Sequence, residues 1–260
     1  MTDAINSLDV ASLASIAAER TARRLDVARP ERIELITSIG RPVAVEAVAS
    51  GFGVIAAELV DIVHDVDAIA ATIGRGAPAG ATSDHAADRL CARFARHPAG
   101  PVAVISALYQ SMDATASLVA TSVLARPPAP GGVVPIARTV RVAIEPLEID
   151  GRSIPTGTAI HLELGAANMW FGAGPHACPG RLLAESIASG VVEAIERSDA
   201  EVDVATTELD LDQRPVAVWL ILHRGGGSSP LDPRIANRRR SGLPATRASR
   251  PRRGLMRSGT

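Results

Sequence analysis

The sequence runs to 260 residues at a net charge of −1, and 47% of it is hydrophobic while only 2% is aromatic. That length admits one large domain or two small ones around a core of Ala, Val, Leu and Ile. The near-neutral charge excludes a global field for nucleic acid or a membrane surface, and two cysteines, Cys91 and Cys178, exclude a disulfide framework.

The first residues, MTDAINSLDV, carry an early acid and no basic stretch ahead of an apolar run, so they do not read as a secretory signal. A reducing cytoplasm is the expected location. Residues 1–125 read as helices with short breaks. IELITSIGRPVAVEAVAS and GVIAAELVDIVHDVDAIAATIG show apolar residues at helical spacing. The apolar stretch spanning them contains Glu46 and Glu58, which favours a buried helix pair over a membrane span.

Turn formers from Gly74 to Asp84 predict a loop. DHAADRLCARFARH resumes a helix, in which Cys91 is expected as a small apolar core residue. A long apolar helix is predicted over Pro101–Leu124, ending before Arg126-Pro127-Pro128. TVRVAIEPLEIDGRSIPTGTAIHLEL alternates and carries turn residues at Gly151 and Pro155-Thr156-Gly157, so a small antiparallel sheet is expected. RLLAESIASGVVEAIERS reads as a helix and PVAVWLILH as a strand. From Arg224 onward ten arginines face a single acid, Asp232, amid Gly, Ser and Pro, and residues 225–260 are expected to form a disordered Arg-rich tail.

Between sheet and helix lies FGAGPHACPGR, Phe171 to Arg181. Gly172, Gly174 and Gly180 permit tight turns and let a flat ligand approach the backbone. Pro179 suits the first position of the following helix, which would set Cys178 at a helix N-terminus, where dipole and free N–H groups favour a thiolate. Phe171 can shield the sulfur and His176 can donate to a carboxylate. A shielded thiolate on a flat open surface suits axial ligation of haem iron; a buried inert cysteine in a glycine loop is the plainer reading.

The stretch resembles the haem-binding loop of the cytochrome P450 family, F-G-x-G-x-H-x-C-x-G, with all six fixed positions present. The chain's own residue frequencies give on the order of 10⁻⁷ chance matches, so the resemblance is specific. Upstream, the strand region shares an early arginine, the G-x-x-I-P-x-G-T turn and a closing A-A-N with the family. YQSMDATASLV resembles its long central helix.

The resemblance implies a mainly α fold with a small antiparallel β subdomain, a truncated P450-like architecture over residues 1–224, best matched over 105–197. It implies haem b bound through Cys178 as metal ligand, with Phe171, Gly172 and Gly180 around it and His176 and Arg138 on the propionates. Asp113 and Thr115 would serve the distal face, as acid and alcohol for proton delivery to dioxygen. The implied activity is a monooxygenase drawing electrons from a separate ferredoxin or reductase and acting on a small organic substrate, with no membrane or nucleic-acid partner. Solvated roles for Arg138 and Asp113 remain open on the residues alone.

Three departures stand against this. Ala114 replaces the alcohol that follows the acid, no E-x-x-R lies between Asp113 and Arg138, and only Met169-Trp170 separates A-A-N from the cysteine loop. A non-catalytic accessory module and a degenerate fragment are therefore the alternatives.

Overall fold

The longest helix stops where its sequence requires it. α6 (Pro101–Leu124) begins with proline in its first turn and closes at Ala125, just ahead of residues whose rings and missing N–H groups cannot continue it. The computed structural model describes residues 1–27, 31–73, 78, 80–125, 134–165 and 169–223, and Met1–His223 form one compact unit. The expectations for Gly74–Ala77, Ala79, residues 126–133, Ala166-Ala167-Asn168 and the 225–260 tail fall outside the described residues.

Around α6 lie α1 (Thr2–Asn6), α2 (Val10–Val27), α3 (Arg41–Gly51), α4 (Leu59–Ile73), α5 (Ala81–Arg93) and α7 (Arg181–Arg197). α6 touches α1, α3, α4, α5 and α7. Its Val104, Leu108, Met112, Val119, Ala120 and Leu124 are buried, so the core is aliphatic as the composition requires. On length and composition alone α6 could cross a membrane; here about half of its residues are buried, many of them against these neighbours.

α2 and α7 cross at Gly190, where an added Cβ would lie 2.1 Å from the Ala14 carbonyl oxygen. Only a residue without a side chain lets the two backbones approach so closely. The Ser186 hydroxyl donates to the Val10 carbonyl across the same seam at 2.6 Å. Buried Glu46 on α3 pairs with Arg24 on α2. Buried Asp65 on α4 pairs with Arg89 on α5 at 2.5 Å, and accepting from the Arg89 guanidinium raises that group's pKa further.

The strands are short and antiparallel. β1 (Arg32–Glu34), β9 (Trp219–Leu222) and β6 (Ala200–Val202) form a three-stranded sheet in the order β1-β9-β6. β2 (Arg138–Val142) pairs with β5 (Ala159–Glu163), β3 (Leu147–Ile149) with β4 (Arg152–Ile154), and β7 (Glu208–Leu209) with β8 (Pro215–Ala217). The expected small sheet is thus two separate ladders.

Four local expectations are corrected. Ile33 and Glu34 lie in β1 and a π-helical turn spans Ile36–Gly40, so α3 starts only at Arg41. The Glu34 carboxylate causes the break, accepting from the N–H groups of Ile36, Thr37 and Val218 at 3.0, 2.5 and 3.0 Å. α5 starts at Ala81, inside the predicted loop. Cys91 is exposed, because α5 buries Ala86 and Leu90 and Cys91 falls one residue off that stripe. The single strand expected from Pro215 to His223 is split, since the Val218 N–H and C=O turn to Glu34 and Leu35.

Candidate functional site

The cysteine loop is folded by its own backbone. The Gly172 N–H donates to the Met169 carbonyl at 2.8 Å, a short 3₁₀ turn covers Gly174–His176, and the Cys178 N–H donates to the Phe171 carbonyl at 2.7 Å. Gly172 has φ +68°, and a Cβ there would stand 2.4 Å from the His176 carbonyl oxygen. Both the left-handed backbone and the contact demand glycine. Gly180 is the N-cap of α7, so Pro179 lies one residue outside the helix and not at its first position. Cys178 is exposed. The Arg181 guanidinium lies 5.1 Å over the Phe171 ring and pairs with Glu185 at 2.9 Å.

This loop forms one wall of an apolar recess. Trp170, Phe171, Cys178, Pro179 and Gly180 line it, continued by Leu183, Ala184 and Ile187 of α7. The facing wall is a stripe of α6: Ala107, Gln110, Ser111, Ala114, Thr115 and Leu118. Met1, the N-cap of α1, and Ile5 within α1 also line the recess, with the Gln110 amide 3.0 Å from the Met1 thioether sulfur. The recess has a cavity volume of about 130 Å³ and is open at its mouth, smaller than the roughly 300–1,000 Å³ usual for cofactor and ligand sites.

Of the residues singled out from the sequence, Cys178, Phe171, Gly180 and Thr115 share this recess, and Gly172 braces the loop behind it. Thr115 is buried on the wall beside Ala114. Asp113 is off the wall, its carboxylate accepting from Arg41 Nε at 2.6 Å. Arg138 is also off the wall; it pairs with Asp212 and lies 3.9 Å from Glu163. His176 is exposed on the 3₁₀ turn, outside the lining.

Sequence reasoning missed Gln110, Ser111 and Trp170. The first two follow from helical spacing once Thr115 is placed on the wall. Trp170, one of two tryptophans, adjoins the motif directly. Its indole Nε1 is sealed from solvent and has no hydrogen-bond partner, an arrangement that costs about 1–3 kcal/mol while it stays unpaired.

No family model and no curated protein matches the chain. Solved structures do. The open cytochrome P450 Eryk from S. erythraea is similar at TM-score 0.65 and 16% identity, over 85% of this chain and 77% of that one. P450BioI in complex with an acyl carrier protein ligated to hexadec-9Z-enoic acid is similar at 0.64 and 18%, over 85% and 78%. The thermophilic cytochrome P450 from Sulfolobus tokodaii is similar at 0.62 and 17%, over 86% and 77%. With its helical body, small antiparallel ladders and cysteine loop facing the central helix, the chain has the cytochrome P450 fold in shortened form.

Proposed function

We propose that this protein is a haem-thiolate protein that binds haem b through Cys178, with a monooxygenase as the activity the site is built toward. The observation that carries the reading is that the Cys178 loop and the central face of α6 line a single apolar recess.

The donor set fits the group. A cysteine sulfur is a recognised axial ligand for haem iron, the glycine-braced loop fixes its position, and the surrounding wall is apolar. Phe171 and Gly180 would shield the sulfur and leave room for the macrocycle, and Gly172 would hold the loop's turn. When bound, a thiolate-ligated haem supplies oxygen activation with electrons from a separate donor protein such as a ferredoxin or reductase.

This chain's own residues set limits on that chemistry. Thr115 and Ser111 are the α6 hydroxyls on the wall, though Ser111 already donates to the Leu108 carbonyl at 2.8 Å. For Asp113 to move a proton toward the recess it must leave Arg41, and Arg138 must leave Asp212 to meet a carboxylate. His176 would reach the rim only from outside the wall. A small apolar substrate matches the lining. Two free thiols suit the reducing cytoplasm expected from the sequence.

The Arg41–Asp113 pair also favours a second reading, a non-catalytic relative that keeps the fold and the recess without proton delivery. Titration with haem, followed by spectra of the reduced, carbon-monoxide-bound form, tests the first reading. A strongly red-shifted Soret band that Cys178→Ser abolishes is expected. A wild type that stays colourless in excess haem, or a serine variant with the same spectrum, overturns it. Haem binding without substrate turnover leaves the second reading standing.

A further inference from the structure

We propose that the Trp170 indole N–H is the hydrogen-bond donor for a carboxylate of the porphyrin held in this recess, a positioning contact that rests on the haem reading. Trp170 lines the same wall as Cys178, yet its Nε1 is buried and unpaired. A sealed indole N–H without a partner is a cost that an acceptor on a ligand removes. If that acceptor is ionised, the bond is of the stronger, charge-assisted kind.

The cations that would otherwise take this role are held elsewhere. The wall carries no arginine or histidine among the described residues. Arg138 is engaged by Asp212, and Arg181 by Glu185 and the Phe171 ring. Of the other polar side chains on the wall, Gln110 contacts the Met1 sulfur and Ser111 donates to the Leu108 carbonyl, while Thr115 stands on the α6 side, away from the cysteine loop's own backbone.

The backbone that carries the indole is also tied to the backbone that carries the sulfur. Trp170 lies between Met169 and Phe171, whose carbonyls accept from Gly172 and Cys178 at 2.8 and 2.7 Å. Donor and thiol thus belong to one hydrogen-bonded loop, and one flat ligand with an acceptor at its edge can meet both.

The test is a cycle of two proteins and two porphyrins, using the full chain. Wild type and Trp170→Phe are titrated with haem and with haem dimethyl ester, whose carboxylates are blocked. We expect Trp170→Phe to weaken haem about tenfold and the diester by less than twofold, with the reduced carbon-monoxide Soret position unchanged because the sulfur ligand is intact. Trp170→His, which keeps a ring N–H, should recover part of the haem affinity. Equal weakening of both porphyrins would assign Trp170 a packing role and overturn the inference, as would no weakening of either. Failure of the wild type to take up haem at all overturns the haem reading, and this inference with it.

Discussion

Gly190→Ala probes the seam that holds α7, and therefore the cysteine loop at its start, against the rest of the protein. The new Cβ would meet the Ala14 carbonyl oxygen at 2.1 Å, its carbon at 2.9 Å and its Cα at 3.1 Å. All three atoms are backbone, so no side chain can swing aside. An ordinary carbon–oxygen approach is about 3.3 Å or more, and the helices must part by about 1 Å. A gap of that size forfeits a quarter to a half of each facing dispersion contact, along helices of 18 and 17 residues that bury Leu13, Ala17, Ile187 and Val191. Overpacking of this kind costs about 1–3 kcal/mol or more, against a helix-propensity gain of about 1 kcal/mol for leaving glycine. A net loss of about 1–2 kcal/mol is expected, or about 2–8 °C in Tm for a chain of this size. Urea unfolding followed by circular dichroism should show a lower midpoint at unchanged slope, and Ser189→Ala, at the exposed neighbour, should stay within about 0.5 kcal/mol of wild type. A Gly190→Ala protein as stable as wild type would refute the close-approach argument.

Two further outcomes are expected. Arg24→Ala strands the Glu46 carboxylate, whose side chain is 7% exposed, and should cost about 3 kcal/mol in urea unfolding, because an uncompensated buried charge is left behind; a loss below 1 kcal/mol would mean that water reaches Glu46. At the β7–β8 turn, burial pushes the Asp210 carboxyl upward, but N–H groups of Arg214 and Asp212 and the Arg214 charge outweigh it and hold its pKa below the ordinary 3.8. The stabilisation is therefore fully present above pH 3.8 and is lost as pH falls through the lower folded value. An NMR titration of the Asp210 carboxyl should place its midpoint below 3.8, and Asp210→Asn should remove the acid dependence of Arg214 amide exchange; a midpoint at or above that value would refute the assignment.

The long helices were legible because their limits are local. α6 is framed by prolines, and α7 carries a regular apolar stripe right after the cysteine loop. β1 was not legible, since Ile33, Leu35, Ile36 and Ile39 satisfy a helical spacing equally well, and what decides the matter is pairing with Trp219–Ile221 far along the chain. Cys91 was misplaced for a related reason: composition says a cysteine is often buried, but the rotation of α5 puts Leu90 inward and its neighbour outward. The six-position motif located the loop. It could not say which α6 side chains face it, because one residue of rotation, about 100°, separates Asp113, tied to Arg41, from Ala114 and Thr115 on the wall. Trp170 escaped notice because its importance lies in a missing partner, which only three dimensions reveal.

The β1-β9-β6 sheet has a consequence for how the chain is made. β1 leaves the ribosome early, yet its neighbour β9 is synthesised after every helix described here. Contacts so distant in sequence close slowly, so the nascent helices assemble while Ile33 stands bare and the Glu34 carboxylate lacks the Val218 amide. Translation halted after α7 would leave an unmated strand edge, the kind of surface that chaperones and aggregation both select.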